Sequence, residues 1–272
     1  MIKRLLLCAA ALLWASPAWA TWSIIAIDGL TGEIVMASAT CVSQDGFARA
    51  GVKGLMDVQA IIVPGWGVAA AQAGVDWTHK NQMLIYRELH KGTDPVAILA
   101  MLKEDPAIET RQFAILDHKG RVATFSGSGN LAASLAHASM IRTPKKRIYY
   151  SIQGNILKSD AVVSAADTAF RRASGVLTDR VMAAMEAADA MGGDKRCSCD
   201  STPRVNAPCT AKSAHVAYLV RALRGDKAGA SHNDGTYSLY LSVTDADITP
   251  AEDANPVKTL RLRYDAWKKT RH

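Results

Sequence analysis

The chain has 272 residues, 49% of them apolar and 21% charged, which is ample for a well-buried core and excludes an intrinsically disordered protein. Net charge is +7, and setting aside Lys3 and Arg4 leaves 30 basic against 25 acidic residues. That surplus is spread along the chain, and its densest runs, Lys145-Lys-Arg147 and Lys268-Lys-Thr-Arg271, are short. They read as solvated loops and tails, so no nucleic-acid partner is expected.

The first twenty residues have the layout of an export signal. Met1-Ile-Lys-Arg4 is a positive start, Leu5 to Ala15 an apolar run, and Ala18-Trp-Ala20 a small-x-small cleavage site. The apolar run is too short to span a bilayer comfortably, so no membrane anchoring is expected. Cys8 follows Leu7 and lies too early for lipoprotein processing. The expected protein is periplasmic or secreted, with residues 21–272 as one domain. A cut after Ala20 makes Thr21 the mature N-terminus, placing a hydroxyl and a free α-amine on one residue. Such an amine can serve as base for its own hydroxyl.

From Thr21 the spacing predicts a hairpin, with a strand over 22–27, a turn at Asp28-Gly-Leu-Thr-Gly32 and a return over 33–39. Residues 43–57 are Gly-rich and polar and read as loop. Val58–Val63 and Gly67–Gln72 flank Pro64-Gly65 as a second hairpin, apolar enough to be covered on both faces. A helix follows over 77–90. Thr93 or Asp94 caps the next, with Pro95 at its first position and Val96, Ile98, Leu99 and Leu102 as the buried stripe. Arg111–Asp117 and Arg121–Ser126 form a third hairpin, residues 127–145 read as loop with a short helix, and 147–153 as a strand.

Ser159 is expected to cap a helix buried through Val162, Val163, Ala166 and Phe170. Another starts at Thr178, buries Leu177, Val181, Met182, Met185 and Ala188, and stops at Gly192-Gly193. A cysteine loop spans 194–211, followed by strands over 213–222 and 236–243 and a last helix over 256–269. Strand blocks, mostly hairpins, alternate with helix pairs, which points to an α+β fold with antiparallel sheet and helices packed outside.

Four cysteines lie beyond the signal: Cys41, Cys197, Cys199 and Cys209. An even number in an oxidising compartment points to up to two disulfides. The spacing favours a bridge closing the 197–209 loop, with Cys41 free or paired with the remaining cysteine there. It matches no zinc pattern, so neither a metal nor another cofactor is expected.

Common catalytic templates are missing: there is no Gly-x-Ser-x-Gly, no phosphate-binding Gly-x-x-x-x-Gly-Lys, no His-Glu-x-x-His and no strand-linked Gly-x-Gly-x-x-Gly. Ser126-Gly-Ser-Gly129 lacks the lysine and helix start of a phosphate loop, and the seven histidines are scattered. Thr21 remains the candidate nucleophile.

Several blocks in order carry a resemblance. They are Thr21-Trp-Ser-Ile-Ile-Ala-Ile-Asp-Gly29 with Thr31-Gly-Glu33 and Met36-Ala-Ser-Ala39, Val68-Ala-Ala-Ala-Gln-Ala73, Arg111 to Ala123, Ile152-Gln-Gly-Asn-Ile-Leu157 and Gly192-Gly-Asp-Lys-Arg196. Over residues 21–225 the chain resembles a bacterial family of N-terminal-nucleophile (Ntn) hydrolase-like proteins of unknown function, DUF1028. The resemblance implies a four-layer αββα sandwich, Thr21 as nucleophile at the end of a central strand, and amide hydrolysis through an ester. It implies no substrate beyond a small amide or peptide. Within that frame Asn155 and Gln153 are candidate catalytic side chains, and the backbone around Gln72 and Ala73 a candidate oxyanion site. Ser23 falls on Thr21's side of the strand, while Asp194 and Arg196 either line the pocket or form a structural ion pair. No lysine takes an evident place beside the threonine. The 197–209 loop departs from the family pattern, and the C-terminal segment matches only through Asn255-Pro-Val-Lys-Thr-Leu260. The resemblance also implies a homodimer. The alternative expectation is a catalytically silent protein of this fold that binds a ligand or partner.

Overall fold

The structure, a computed structural model, describes residues 19–270. Of the segment expected to be an export signal, only Trp19 and Ala20 fall within it. Strand β1 (Thr21–Asp28) runs antiparallel to β2 (Ile34–Thr40). Their turn is closed by Asp28, whose Oδ1 accepts the Leu30 N–H at 2.8 Å, and by Gly32 at φ 76°. Strands β3 (Ala60–Val63), β4 (Gly67–Ala73), β5 (Arg111–Asp117) and β6 (Val122–Ser126) form a four-stranded sheet in chain order. Strands β7 (Leu135–Thr143), β8 (Lys146–Asn155), β9 (Val216–Ala222) and β10 (Leu239–Thr244) join the first hairpin in a six-stranded sheet, ordered β10-β9-β2-β1-β8-β7. Every pairing is antiparallel.

Side-chain alternation along β1 serves two different cores. Trp22, Ile24 and Ala26 pack in the cluster built by α5 (Ala161–Arg172), α6 (Leu177–Ala190) and α7 (Pro256–Lys269). Ile25 and Ile27 face the other way and meet Ile62, Val68, Ala70, Ala114 and Leu116 of the four-stranded sheet. A third cluster joins Ile61, Val63, Phe113 and Ile115 to Ile85 and Leu89 of α3 (Lys80–His90) and Ile98 and Leu102 of α4 (Pro95–Leu102). The molecule is thus a mixed α+β fold with two antiparallel sheets and helices against both. Burial on both faces explains why β1 and β4 read as continuous apolar runs rather than alternating ones.

Four local expectations are corrected. Residues 43–57 are not loop, because α1 (Gln44–Arg49) and most of α2 (Leu55–Gln59) lie there. The Ser43 hydroxyl caps α1 by accepting the Gly46 N–H at 3.1 Å, and Phe47 anchors it. Residues 135–143 are a strand, not loop. Val96 is 63% exposed and outside the stripe of α4, which buries Ile98 and Leu102. Asp160 rather than Ser159 stands at the N-cap of α5, and Ser159 contributes its backbone carbonyl to Val162 N–H.

Two disulfides form, as the even cysteine count allows: Cys41, just past β2, is bridged to Cys197, the remaining cysteine of the loop, and the bridge from Cys199 to Cys209 closes the loop itself. Cys41, Cys197 and His215 come together, but both sulfurs are committed to a disulfide. Among the described residues no helix is long and apolar enough to cross a membrane.

His215 sits just ahead of β9, buried beside the Cys41–Cys197 disulfide, with its backbone N–H donating to Thr40 O at 2.7 Å. Burial, reinforced by the charges of Lys212 and Arg196, pushes its imidazole down to about 4 from an ordinary 6.5. Between those values the unfolded chain binds a proton that the folded chain does not. The stability present above pH 6.5 is therefore lost as pH falls toward 4, by at most about 3 kcal/mol. His215→Asn should flatten the fall in melting temperature over that window. A profile as steep as wild type would assign the acid sensitivity elsewhere.

Candidate active site

The first residue of β1 lies between two neighbours that the register sets at its own level, Thr40 at the end of β2 and Asn155 at the end of β8. All three are buried. The Thr21 N–H donates to Asn155 Oδ1 at 3.2 Å, and Asn155 Nδ2 donates to Trp19 O at 3.2 Å. The Thr21 hydroxyl lies 3.4 Å from both Trp19 O and Thr40 Oγ1. The bond between Ala20 and Thr21 is held from its carbonyl side, where Thr40 Oγ1 donates to Ala20 O at 2.5 Å and Arg196 Nη2 approaches it at 3.4 Å.

Asp194 organises the cation. It is fully buried and takes Arg196 through two oxygens, from Nε at 3.0 Å and Nη2 at 2.8 Å. It also accepts the backbone N–H of Arg196 and of Cys41, each at 3.0 Å. A carboxylate with this many donors tolerates burial, and it fixes a guanidinium beside Ala20 O. Asp194 therefore ties the glycine-terminated end of α6 to the end of β2. The chain reverses here at Gly192 and Gly193, both at positive φ, and Gly193 lies where a Cβ would strike the Trp22 ring at 2.6 Å.

On the facing sheet, Gln72 contacts the strand that starts with Thr21. Its Nε2 donates to Thr21 O at 3.0 Å, and its Oε1 accepts from Ser23 Oγ at 2.7 Å. It is joined there by Gln59 Nε2 at 2.7 Å, while its own Nε2 also reaches Gln112 Oε1 at 2.8 Å. Tyr218 OH donates to Gln59 Oε1 at 2.9 Å and Gln112 Nε2 to Gly154 O at 3.0 Å. Ala73, at φ 71°, turns its carbonyl to Trp19 N–H at 3.3 Å. Gln153 reaches across to Ala70 O at 3.3 Å, and its Oε1 is buried without a partner.

The structure thus brings Thr21, Asn155, Asp194 and Arg196 around one peptide bond, with Ser23 and Gln72 one layer deeper. Gln153 spans the sheets instead, and Ala73 offers a carbonyl. Sequence reasoning missed Thr40. Its only signal is register: counted back across the Asp28–Gly32 turn, it is the β2 residue opposite Thr21. A cavity of about 550 Å³ is elsewhere, lined by Tyr218, Tyr237, Tyr240, Asp57, Asp234 and Lys53 among others.

The model of a family of unknown function, DUF1028, matches residues 21–202. The chain belongs to this family. Among solved structures, the fold of this DUF1028 protein is similar to that of protein SPO2555 from Silicibacter pomeroyi, itself described as DUF1028. That likeness has a TM-score of 0.60 at 21% identity and covers 91% of this chain and 88% of the other. No curated protein matches the chain. The matched region begins at Thr21 and includes the residues that follow Ala20 and are named around the Ala20–Thr21 bond: Thr21, Thr40, Asn155, Asp194 and Arg196.

Proposed function

We propose that this DUF1028 protein is an exported Ntn-type amide hydrolase. Cleavage after Ala20 releases Thr21 as the nucleophile, and the two sheets with their helices form the αββα sandwich of that class. The observation that carries this reading is the pairing of Thr21 N with Asn155 Oδ1 on the residue whose hydroxyl lies at the same strand end. Once the Ala20–Thr21 bond is hydrolysed, that nitrogen becomes an amine held by a neutral acceptor. The amine takes the proton of Oγ1 as the oxygen adds to a substrate amide carbonyl. Thr40 Oγ1 and Arg196, which now meet the carbonyl oxygen of Ala20, supply donors for the negative oxygen of the adduct. Collapse passes the proton to the leaving amine and leaves an ester on Thr21. Water, activated by the same amine, then hydrolyses it.

The two disulfides favour export. Intact mass of the secreted protein should correspond to a chain starting at Thr21, and a hydroxyl-reactive inhibitor should label that residue alone. A start at any other position would rule the nucleophile out. A second reading, ligand binding without catalysis, draws on the Tyr218-lined cavity, because it lies apart from Thr21. A correctly processed chain that resists labelling would favour it.

A further inference from the structure

The two residues before Thr21 are built into the fold. Trp19 forms an isolated antiparallel bridge with Ala73, extending the end of β4 by one pairing. Its indole meets Phe47 edge-on at 4.8 Å and Trp77 at 5.1 Å, and it packs on the inter-sheet core. Phe47 is fully buried and Trp77 47% exposed, so one wall of this slot is fixed and the other is at the surface. Ala20 is completely buried, so a larger side chain there would press on its neighbours rather than reach solvent. Both carbonyls of the segment are engaged, that of Trp19 by Asn155 and that of Ala20 by Thr40 and Arg196.

Covalent connectivity gives this arrangement its meaning. In the uncut chain the acyl group Trp19-Ala20 is carried on the nitrogen of Thr21. In an ester intermediate the acyl group of a substrate is carried on Oγ1 of the same residue, three bonds away. Two acyl groups attached within three bonds of each other on one buried residue can share the path that Trp19 and Ala20 occupy. Removing the leader empties that path for a substrate.

We infer that the mature protein acts on peptides whose acyl side presents an aromatic residue followed by a small one. The aromatic ring enters between Phe47 and Trp77, the small residue takes the place of Ala20, and the peptide backbone pairs with Ala73 O as Trp19 does. This rests on the Thr21 reading and adds to it the class of substrate. The bonds made and broken are those of the hydrolysis above: the amide after the small residue breaks, its carbonyl carbon gains hydroxyl from water, and its nitrogen leaves as the free amine. A released peptide ending in Trp-Ala keeps every contact of the leader, so it is also a product-like competitive inhibitor.

Two measurements on the secreted chain starting at Thr21 separate this inference from the reading beneath it. The first is calorimetric binding of acetyl-Ala-Trp-Ala, with a free carboxylate, to the Thr21→Ala variant, which needs no catalysis. Seating an aromatic ring corresponds to an advantage of about tenfold or more over acetyl-Ala-Glu-Ala. Trp77→Ala, a change at a half-exposed loop position whose folding is checked by its melting temperature, should remove most of that advantage. Equal binding of the two peptides, or an advantage untouched by Trp77→Ala, would overturn the slot. The second is hydrolysis of acetyl-Trp-Ala-aminomethylcoumarin against the Glu-Ala and Trp-Leu analogues by wild type, where Trp-Ala should lead in kcat/KM. Turnover without that preference overturns the substrate class and leaves Thr21 as nucleophile. Selective binding with no turnover of any amide overturns the nucleophile and leaves the slot.

Discussion

Thr21→Ala is expected to lower the proposed amide hydrolysis by a factor on the order of 10⁴ or more, because it removes the atom proposed to form the ester while leaving the amine and its neighbours in place. Thr21→Ser should keep a measurable fraction, since Oγ and the α-amine both remain. Thr21 is buried in register between Thr40 and Asn155, and alanine fits that position without a clash. The melting temperature should therefore move little, separating loss of chemistry from loss of fold. The pH dependence gives a second check. If the α-amine is the base, kcat/KM rises with pH through a single ionisation at or below about 8, the ordinary range of such an amine. Comparable rates for Thr21→Ala and wild type, measured on one substrate panel, would remove this residue from the mechanism.

Removing the Cys41–Cys197 bridge with paired serines is expected to destabilise the protein more than removing Cys199–Cys209. The two bridges close segments of 156 and 10 residues. Chain-entropy estimates give about 5 and about 3 kcal/mol respectively. Denaturant midpoints of the two double variants, with unchanged slopes, measure the difference; equal losses would contradict it. The larger bridge also matters to the site. Cys41 follows Thr40 and Cys197 follows Arg196, so both donors to Ala20 O are one residue from the same covalent link. Activity should therefore fall in the serine variant at temperatures where it is still folded.

The elements that were legible in the sequence are those whose burial writes a period into it. The helix over 161–172 shows Val162, Val163, Ala166 and Phe170 on one face, and all four are buried. Pro95 and Pro256 mark helix starts because Asp94 and Asn255 cap them. By contrast, α1 buries only Phe47, and one residue makes no pattern. β7 is an edge strand with no fully buried residue, so nothing forces alternation upon it. At the site, Thr21 is legible through the expected cleavage site before it, and Asn155, Asp194 and Arg196 through the family blocks. Thr40 is not, because a lone threonine acquires its place only from strand pairing. The cysteine partners were equally hidden. Spacing within 197–209 says nothing of the end of β2, which Asp194 draws alongside through the Cys41 N–H.

The glutamines between the sheets have a consequence for how the halves are keyed. From Tyr218 OH to Gln59, to Gln72, to Gln112 and on to Gly154 O, every donor points the same way. Such a one-way chain cannot have a single amide reversed, because each reversal sets oxygen against oxygen on its downstream side. It must be all one polarity, and the backbone carbonyls of Thr21 and Gly154 at its receiving end choose which. The sheets accordingly lock in one alignment like a ratchet. Since no member is an acid or base near neutrality, acidification leaves that lock untouched while it would protonate the α-amine that the proposed cleavage frees beside it.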